Sequence, residues 1–197
     1  MKSANQPAKR TNNKRCEWVG DDPLYITYHD SEWGVPVHDD RKHFEFIILE
    51  GAQAGLSWLT ILKRRAGYAR VFKQFDIAKV AQFSEHDIQM ALLDKGIIRN
   101  QLKVRATVKN AQIFLDIQKQ FGSFSDYIWL FVDGTAKKNS WKDLKEVPPT
   151  SPESDNLSKD LKKRGMSFVG STIMYAHMQA TGLVNDHTTD CFRYNEV

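Results

Sequence analysis

The spacing of the apolar residues constrains this chain more than any other feature. From Asp40 onward they recur three and four residues apart and scarcely alternate, the period of helices buried along one face. The sequence therefore predicts an all-α domain. Phe44, Ile47 and Ile48 line a first helix that Asp39 or Asp40 caps, and Leu59 with Leu62 mark a second ending near Arg65. Ser84 followed by Asp87 forms a capping-box pattern at the head of a helix through Ile88, Leu92 and Leu93, which Gly96 stops. Val104, Val108, Ala111 and Leu115 mark a long helix, and Phe124 to Val132 form another. Residues 147–152, Val-Pro-Pro-Thr-Ser-Pro, are the clearest loop. Two further helices follow, Asp155 to Arg164 closed by Gly165 and Ser171 to Thr181 closed by Gly182.

A chain of 197 residues can bury one substantial core and does not promise two. Residues 16–197 are expected to form that single domain, behind a disordered basic arm over 1–15. The formal charge of +4 belongs to the arm, since Lys2, Lys9, Arg10, Lys14 and Arg15 face no acid there. The rest carries 23 basic and 24 acidic residues, so a basic surface on the folded part must be a local patch. No apolar run approaches the roughly 20 residues that span a bilayer, and the first fifteen lack the core of a signal peptide. The expected location is the cytoplasm or a nucleus. In that reducing compartment Cys16 and Cys191, almost a whole chain apart, read as a metal pair before a disulfide.

Four constellations could carry chemistry. Cys16 and His29 are answered by His187-x-x-x-Cys191, a donor set suited to tetrahedral Zn²⁺, with the last two one turn apart if that segment is helical. A closed set of four protein ligands leaves no position for water and argues for a structural ion. A buried free Cys and a satisfied His fit the same residues. Glu50 follows three apolar residues and stands at helical spacing from Phe46, Ile47 and Ala54, where a carboxylate is costly unless paired or functional. It reads equally as a helix-end residue turned to solvent. Trp18, Tyr25, Tyr28 and Trp33, with Trp58, could stack on a cationic base or form a hydrophobic lid. Finally, the run from Leu161 to Thr172 has a basic helix end, a turn with Gly165 and Gly170, and a new helix. Such a hairpin can grip a DNA phosphate, although a basic helix end with a glycine cap is commonplace. Lys63-Arg64-Arg65 reads as a solvated helix end.

Taken in order, Cys16-Glu17-Trp18, Asp22-Pro23-Leu24-Tyr25, Tyr28-His29-Asp30, Glu32-Trp33-Gly34-Val35-Pro36, Leu49-Glu50-Gly51, Gln53-Ala54-Gly55-Leu56-Ser57-Trp58, Gly96-Ile97-Ile98-Arg99-Asn100, Phe168-Val169-Gly170 and Gly182-Leu183-Val184-Asn185-Asp186-His187 closely resemble the bacterial DNA-3-methyladenine glycosylase I family. The resemblance runs from about residue 16 to 191 and implies the helix-hairpin-helix glycosylase fold, with its termini joined by one structural Zn²⁺ and no organic cofactor. It implies that Cys16, His29, His187 and Cys191 are the zinc ligands and that Glu50 contacts the flipped base. Tyr28 and Trp58 match residues that sandwich the base, while Trp18, Tyr25 and Trp33 match the pocket wall. Gln53, Gly55 and Leu56 match the loop that enters the duplex. Lys163, Gly165, Gly170 and Thr172 fall on the phosphate-gripping hairpin. Ala52 stands where the family pattern has Gln, and Lys-Lys-Asn-Ser at 137–140 follows no motif. Relatives in the superfamily carry a catalytic Asp shortly after the hairpin helix, and Asp186 lies in that neighbourhood without the same expected use.

The implied function is monofunctional base excision. A monomer, nucleoid-associated through its DNA, flips 3-methyladenine from double-stranded DNA and hydrolyses its bond to the sugar, leaving an abasic site without lyase activity. Methylation at N3 already makes the base cationic and its bond weak, so recognition can supply much of the rate. Two other classes remain open from the residues, a zinc-stapled lesion sensor that does not cut and a zinc hydrolase with an open metal position.

Overall fold

The structure, a computed structural model, describes residues 13–197. Ten α-helices make up the described residues, joined by short 3-10 turns. At their centre lies α2 (Asp40–Gln53), capped by the Asp39 carboxylate, which accepts from the Lys42 amide. From His43 to Ala52 every residue of α2 except Glu45 is buried. Such a helix is enclosed on nearly all sides rather than along one stripe. The long α7 (Gln101–Phe121) covers one side, presenting Val104, Val108, Ala111, Phe114 and Ile117. Phe114 stacks on Phe124 at 3.9 Å between centroids and meets Phe44 edge-on at 5.4 Å. The Ser84–Asp87 capping box opens α6 (Glu85–Leu93) as expected.

Three helices have no counterpart in the expectation: α1 (Pro23–Ser31), α4 (Arg65–Val71) and α5 (Ile77–Ala81). The first buries only Tyr28 and His29, too few apolar residues to show a period; its start is fixed by the Asp22 carboxylate on the Leu24 amide and by Pro23 in the first turn. Nor is the basic run at 63–65 a solvated end. Lys63 closes α3 (Trp58–Leu62) and pairs with Asp22, whereas Arg65 opens α4 and binds both Glu32 and Glu45 at 2.7–2.8 Å. These pairs tie α1, α2 and α4 together. Gly96 does not stop α6, which ends at Leu93 with Asp94 as its cap.

The chain closes through α8 (Phe124–Trp129), α9 (Pro152–Lys163) and α10 (Ser171–Ala180). One departure from an all-α fold is a two-residue parallel pairing of β1 (Lys137–Lys138) with β2 (Val184–Asn185). The motif-less lysines at 137 and 138 are thus the strand that fastens the last segment. Of the expected arm, residues 1–12 lie outside the described residues. Lys14 and Arg15 are held by the fold, Lys14 pairing with Asp190 and accepting from the Phe192 amide, Arg15 clasping Asp30.

Gly96 matters for another reason. A Cβ on Gly67 of α4 would come within 2.3 Å of the Gly96 carbonyl oxygen and 2.7 Å of its carbon, so the two backbones pass as closely as sterics permit. Gly67→Ala should therefore destabilise the fold by about 1–3 kcal/mol through backbone displacement, measured by urea unfolding. Equal midpoints and slopes for variant and parent would show that the crossing has slack.

Candidate functional site

Cys16, His29, His187 and Cys191 converge, each buried, with their donor atoms within 4.8 Å of one another. The Cys191 sulfur lies 3.4 Å from His29 Nε2 and 3.5 Å from His187 Nδ1, and the Cys16 sulfur lies 3.5 Å from the same Nδ1. A tetrahedral ion bound at about 2.3 Å to sulfur and about 2.0 Å to nitrogen spaces such ligands about 3.5 Å apart, so the donor set fits Zn²⁺. The outer ring nitrogens are also occupied. His29 Nδ1 meets Asp30 Oδ1 at 2.8 Å, itself held by Arg15, and His187 Nε2 meets the Trp33 carbonyl at 3.2 Å. Partners of this kind fix the tautomer and aim the inner nitrogen. The contact between the two sulfurs pushes the Cys16 thiol up, with burial adding to the rise, and the Cys191 thiol down, with His187 and His29 adding to the fall. His187 and Cys191 do not share a helix, as the segment between them is a turn.

Beside this cluster opens a cleft of about 380 Å³. All five sequence-predicted aromatics line it, as does Glu50. Trp18 is the hub, meeting Trp33 at 5.0 Å and Tyr25 at 5.4 Å, both edge-on. Tyr28 and Trp58 are 5.6 Å apart and inclined at 57°. Two rings that sandwich a base lie parallel and about 7 Å apart, twice a carbon contact distance. Here they form a tilted wall, and a true sandwich requires one ring to move. Burial, reinforced by the nearby Glu50 carboxyl, pushes the Tyr28 phenol well up.

Glu50 is 3% exposed. Its Oε2 lies 2.9 Å from His177 Nδ1, whose other nitrogen lies 3.2 Å from His43 Nδ1, and His43 Nε2 meets the Val37 carbonyl at 3.0 Å. The second carboxyl oxygen, Oε1, is buried without a partner. Burial pushes the Glu50 carboxyl well above the usual range and both imidazoles down to about 3. The two histidines carry no signal in the sequence, because a lone His on a helix reads as an ordinary core residue.

The remaining predicted residues divide into a loop and a hairpin. Gln53 lines the cleft at the end of α2, and Gly55 and Leu56 follow on the exposed turn, Leu56 being 41% exposed. Lys103 braces this turn from α7, its ammonium donating to the carbonyls of Ala52 and Ala54 at 2.8 and 2.7 Å. Across the cleft α9 ends at Lys163, where Gly165 takes φ of +100° and lets the Met166 amide return to the Leu161 carbonyl. Gly170 then caps α10, and Thr172 in its first turn reaches the cleft. Val147, Pro148 and Pro149, legible only as a loop, form part of the cleft wall.

A second acidic side chain, Asp186, reaches the cleft, and both of its oxygens have partners. Asp186 Oδ1 accepts from Asn139 and the Trp141 indole, both at 2.7 Å, while Oδ2 accepts from the Tyr175 hydroxyl at 2.6 Å and Gln179 at 2.8 Å. Four donors leave it no free acceptor, and it holds the 137–141 segment to α10.

The family model described as methyladenine glycosylase matches residues 18–194. Over 181 residues, 92% of this chain and 97% of the relative, the chain is 50% identical to DNA-3-methyladenine glycosylase 1 of Escherichia coli (strain K12). It is 49% identical over 177 residues to DNA-3-methyladenine glycosylase of Haemophilus influenzae (strain ATCC 51907 / DSM 11121 / KW20 / Rd), covering 90% and 96% of the two chains. Among solved structures, a crystal structure of 3-methyladenine DNA glycosylase I superposes with a TM-score of 0.89 at 51% identity over 91% of this chain and 98% of that one. The Staphylococcus aureus 3-methyladenine DNA glycosylase I, solved to explain 3-methyladenine recognition, superposes with a TM-score of 0.88 at 36% identity over 90% and 95%.

The saturation of Asp186 has a measurable cost when it is broken. Asp186→Asn sets an amide N–H₂ against two of four donors and should lower stability by about 1–3 kcal/mol, read from chemical unfolding. An unchanged midpoint would mean that solvent, not the carboxylate, satisfies those donors.

Proposed function

The chain belongs to the methyladenine glycosylase family, and on that premise we propose that it excises 3-methyladenine from double-stranded DNA. Its curated relatives are DNA-3-methyladenine glycosylases, so it is an enzyme of a glycosylase family. The finer reading is that the damaged nucleotide leaves the stack, enters the aromatic cleft and loses its base to water. An abasic site remains in an intact strand. One observation carries this: a buried carboxyl with a free oxygen in a wall of electron-rich rings, the environment that prefers a flat cation.

The base stacks on Tyr28 and Trp58, whose ring faces attract its positive charge, while Trp18, Tyr25 and Trp33 exclude water behind them. Oε1 of Glu50 accepts from the exocyclic amine and opposes the charge as the bond to the sugar lengthens. Neutral adenine offers the same amine but no charge for the rings and the carboxyl to oppose, and an intact pair costs a few kcal/mol to open. Leu56, carried by the turn of Gln53 and Gly55 and braced by Lys103, fills the space the base leaves. The hairpin of Lys163, Gly165, Gly170 and Thr172, read as a helix-hairpin-helix, offers the first amides of α10 to a phosphate. The protein acts as a monomer.

Cys16, His29, His187 and Cys191 would hold one Zn²⁺ per chain as a cross-link between the two ends of the domain. With four protein ligands it would be structural. Because the same N-terminal stretch supplies Trp18, Tyr25 and Tyr28, the ion would set the cleft wall indirectly.

Two experiments follow. Purified protein should release 3-methyladenine from methylated duplex DNA, and Glu50→Gln should slow that release roughly 10²-fold; equal rates would remove Glu50 from the reaction. Metal analysis should give one zinc per chain, and its removal by a chelator should lower Tm by about 10 °C, as ~4 kcal/mol of linked binding requires. A metal-free protein of unaltered Tm and activity would reduce the cluster to a packed core.

A further inference from the structure

The hydrogen bonds around Glu50 dictate a count of protons. The Val37 carbonyl can only accept, and it accepts from the Trp129 indole as well as from His43, so His43 Nε2 carries a hydrogen. Neutral His43 then presents a lone pair at Nδ1, and His177 Nε2 must donate to it across 3.2 Å. That leaves His177 Nδ1 as an acceptor facing Glu50 Oε2 at 2.9 Å. If Glu50 were a bare carboxylate and both imidazoles neutral, one of these contacts would set lone pair against lone pair in a site without water-exposed atoms. A third proton removes the conflict wherever it sits, on Glu50 Oε2, on His177 or on His43, and in every case the array is neutral overall.

We propose that Glu50, His177 and His43 form one proton-storing array whose stored proton rests on Glu50 while the cleft is empty and moves to the imidazoles when a cationic base lies against Oε1. This rests on the excision reading above and deepens it. The step is a single transfer. The Oε2–H bond breaks, its proton joins the His177 Nδ1 lone pair, and the electron pair stays on the carboxylate; a second hop from His177 Nε2 to His43 Nδ1 is open in the same direction. When the bond to the sugar breaks, the base leaves neutral and the stored proton returns to Glu50, while the water that attacks the sugar gives its own proton to solvent, so the array ends as it began. Burial acts in the same sense, holding Glu50 protonated and both imidazoles neutral until a positive charge arrives. The charged or titratable neighbours are few: Tyr28 from α1, which faces Glu50, and Asp40 and His38 beside His43. In this arrangement the pocket displays a full negative charge only to a ligand that is itself positive. His177 and His43 are positioning residues, since neither touches the base.

The test uses the whole protein with ¹⁵N-labelled histidine rings, observed empty, saturated with neutral 3-methyladenine, and saturated with 3,9-dimethyladeninium, a cation of nearly the same shape. Resonances are assigned by their loss in His177→Asn and His43→Asn. Neutral rings in the first two samples and a new imidazolium at His177 or His43 in the third are the expected result. An imidazolium already present in the empty protein, or none on saturation with the cation, would overturn the array. His177→Asn keeps a hydrogen bond for Oε2 but no place for the proton. It should lower kcat for 3-methyladenine release at least about tenfold with KM within about threefold of the parent; a fall confined to KM, or none, also counts against the proposal. Parent activity on methylated DNA is measured alongside. No release by the parent sinks the excision reading by itself, whereas release with unresponsive histidines sinks only the array.

Discussion

The burial of α2 on nearly every face from His43 to Ala52 is the constraint from which the rest of this structure follows. A helix enclosed on nearly every face has no solvent side on which to leave its polar residues, yet α2 carries His43 and Glu50 inside. Burying each alone costs several kcal/mol. Linked through His177 they satisfy one another, and α10, which supplies His177, is thereby fixed against α2. One acceptor is left over, Glu50 Oε1. Glu50 itself lines the aromatic cleft where α2 and α10 meet, so the unpartnered oxygen belongs to a residue of the cleft wall.

The cleft exists because two hydrophobic clusters meet there without merging. The larger surrounds α2 and α7; the smaller holds Cys16, Val19, Tyr28, Trp33, Phe46, Leu62, Ala180 and Cys191, with Trp58 packed against both. The smaller cluster draws on both ends of the described chain and contains few aliphatic side chains. Cohesion there comes from directional contacts: the four clustered Cys and His side chains, Arg15 on Asp30, Lys14 on Asp190 and the two-residue strand pairing. A small layer held by such directional links can keep an aromatic wall in place while leaving it open to a ligand, which a collapsed core cannot do.

How much of this was legible in the sequence depended on the kind of signal. Helices with an apolar stripe and a side-chain cap could be read, as at Asp39 and at the Ser84–Asp87 box. Short helices could not: α1, α4 and α5 bury one to two residues each and are held by ion pairs and tertiary contacts, which have no period. The basic run at 63–65 shows the same limit, because the partners that turn Arg65 from a solvated end into a hub, Glu32 and Glu45, lie 33 and 20 residues away. Among the candidate site residues, contiguous motifs supplied those named from the sequence, and the structure brings the four metal-ligand candidates and the five aromatics each to one place. His43 and His177 were missed because they are single histidines 134 residues apart, meaningful only as a pair. The parallel plates expected of Tyr28 and Trp58 are instead inclined.

The two carboxylates at the cleft show why proximity does not assign a role. Asp186 sits in the neighbourhood where the sequence resemblance led one to look for a catalytic acid, and it lines the same cavity as Glu50. Its oxygens are nevertheless filled by four donors from Asn139, Trp141, Tyr175 and Gln179. A carboxylate so engaged cannot accept a hydrogen bond from a base without giving up one it has. Glu50 is poorer in partners, with a single imidazole contact, one free oxygen and a medium that magnifies any charge brought near, and that poverty is what suits it to the proposed role. Satisfaction stabilises one acid and its absence equips the other, within a single cleft.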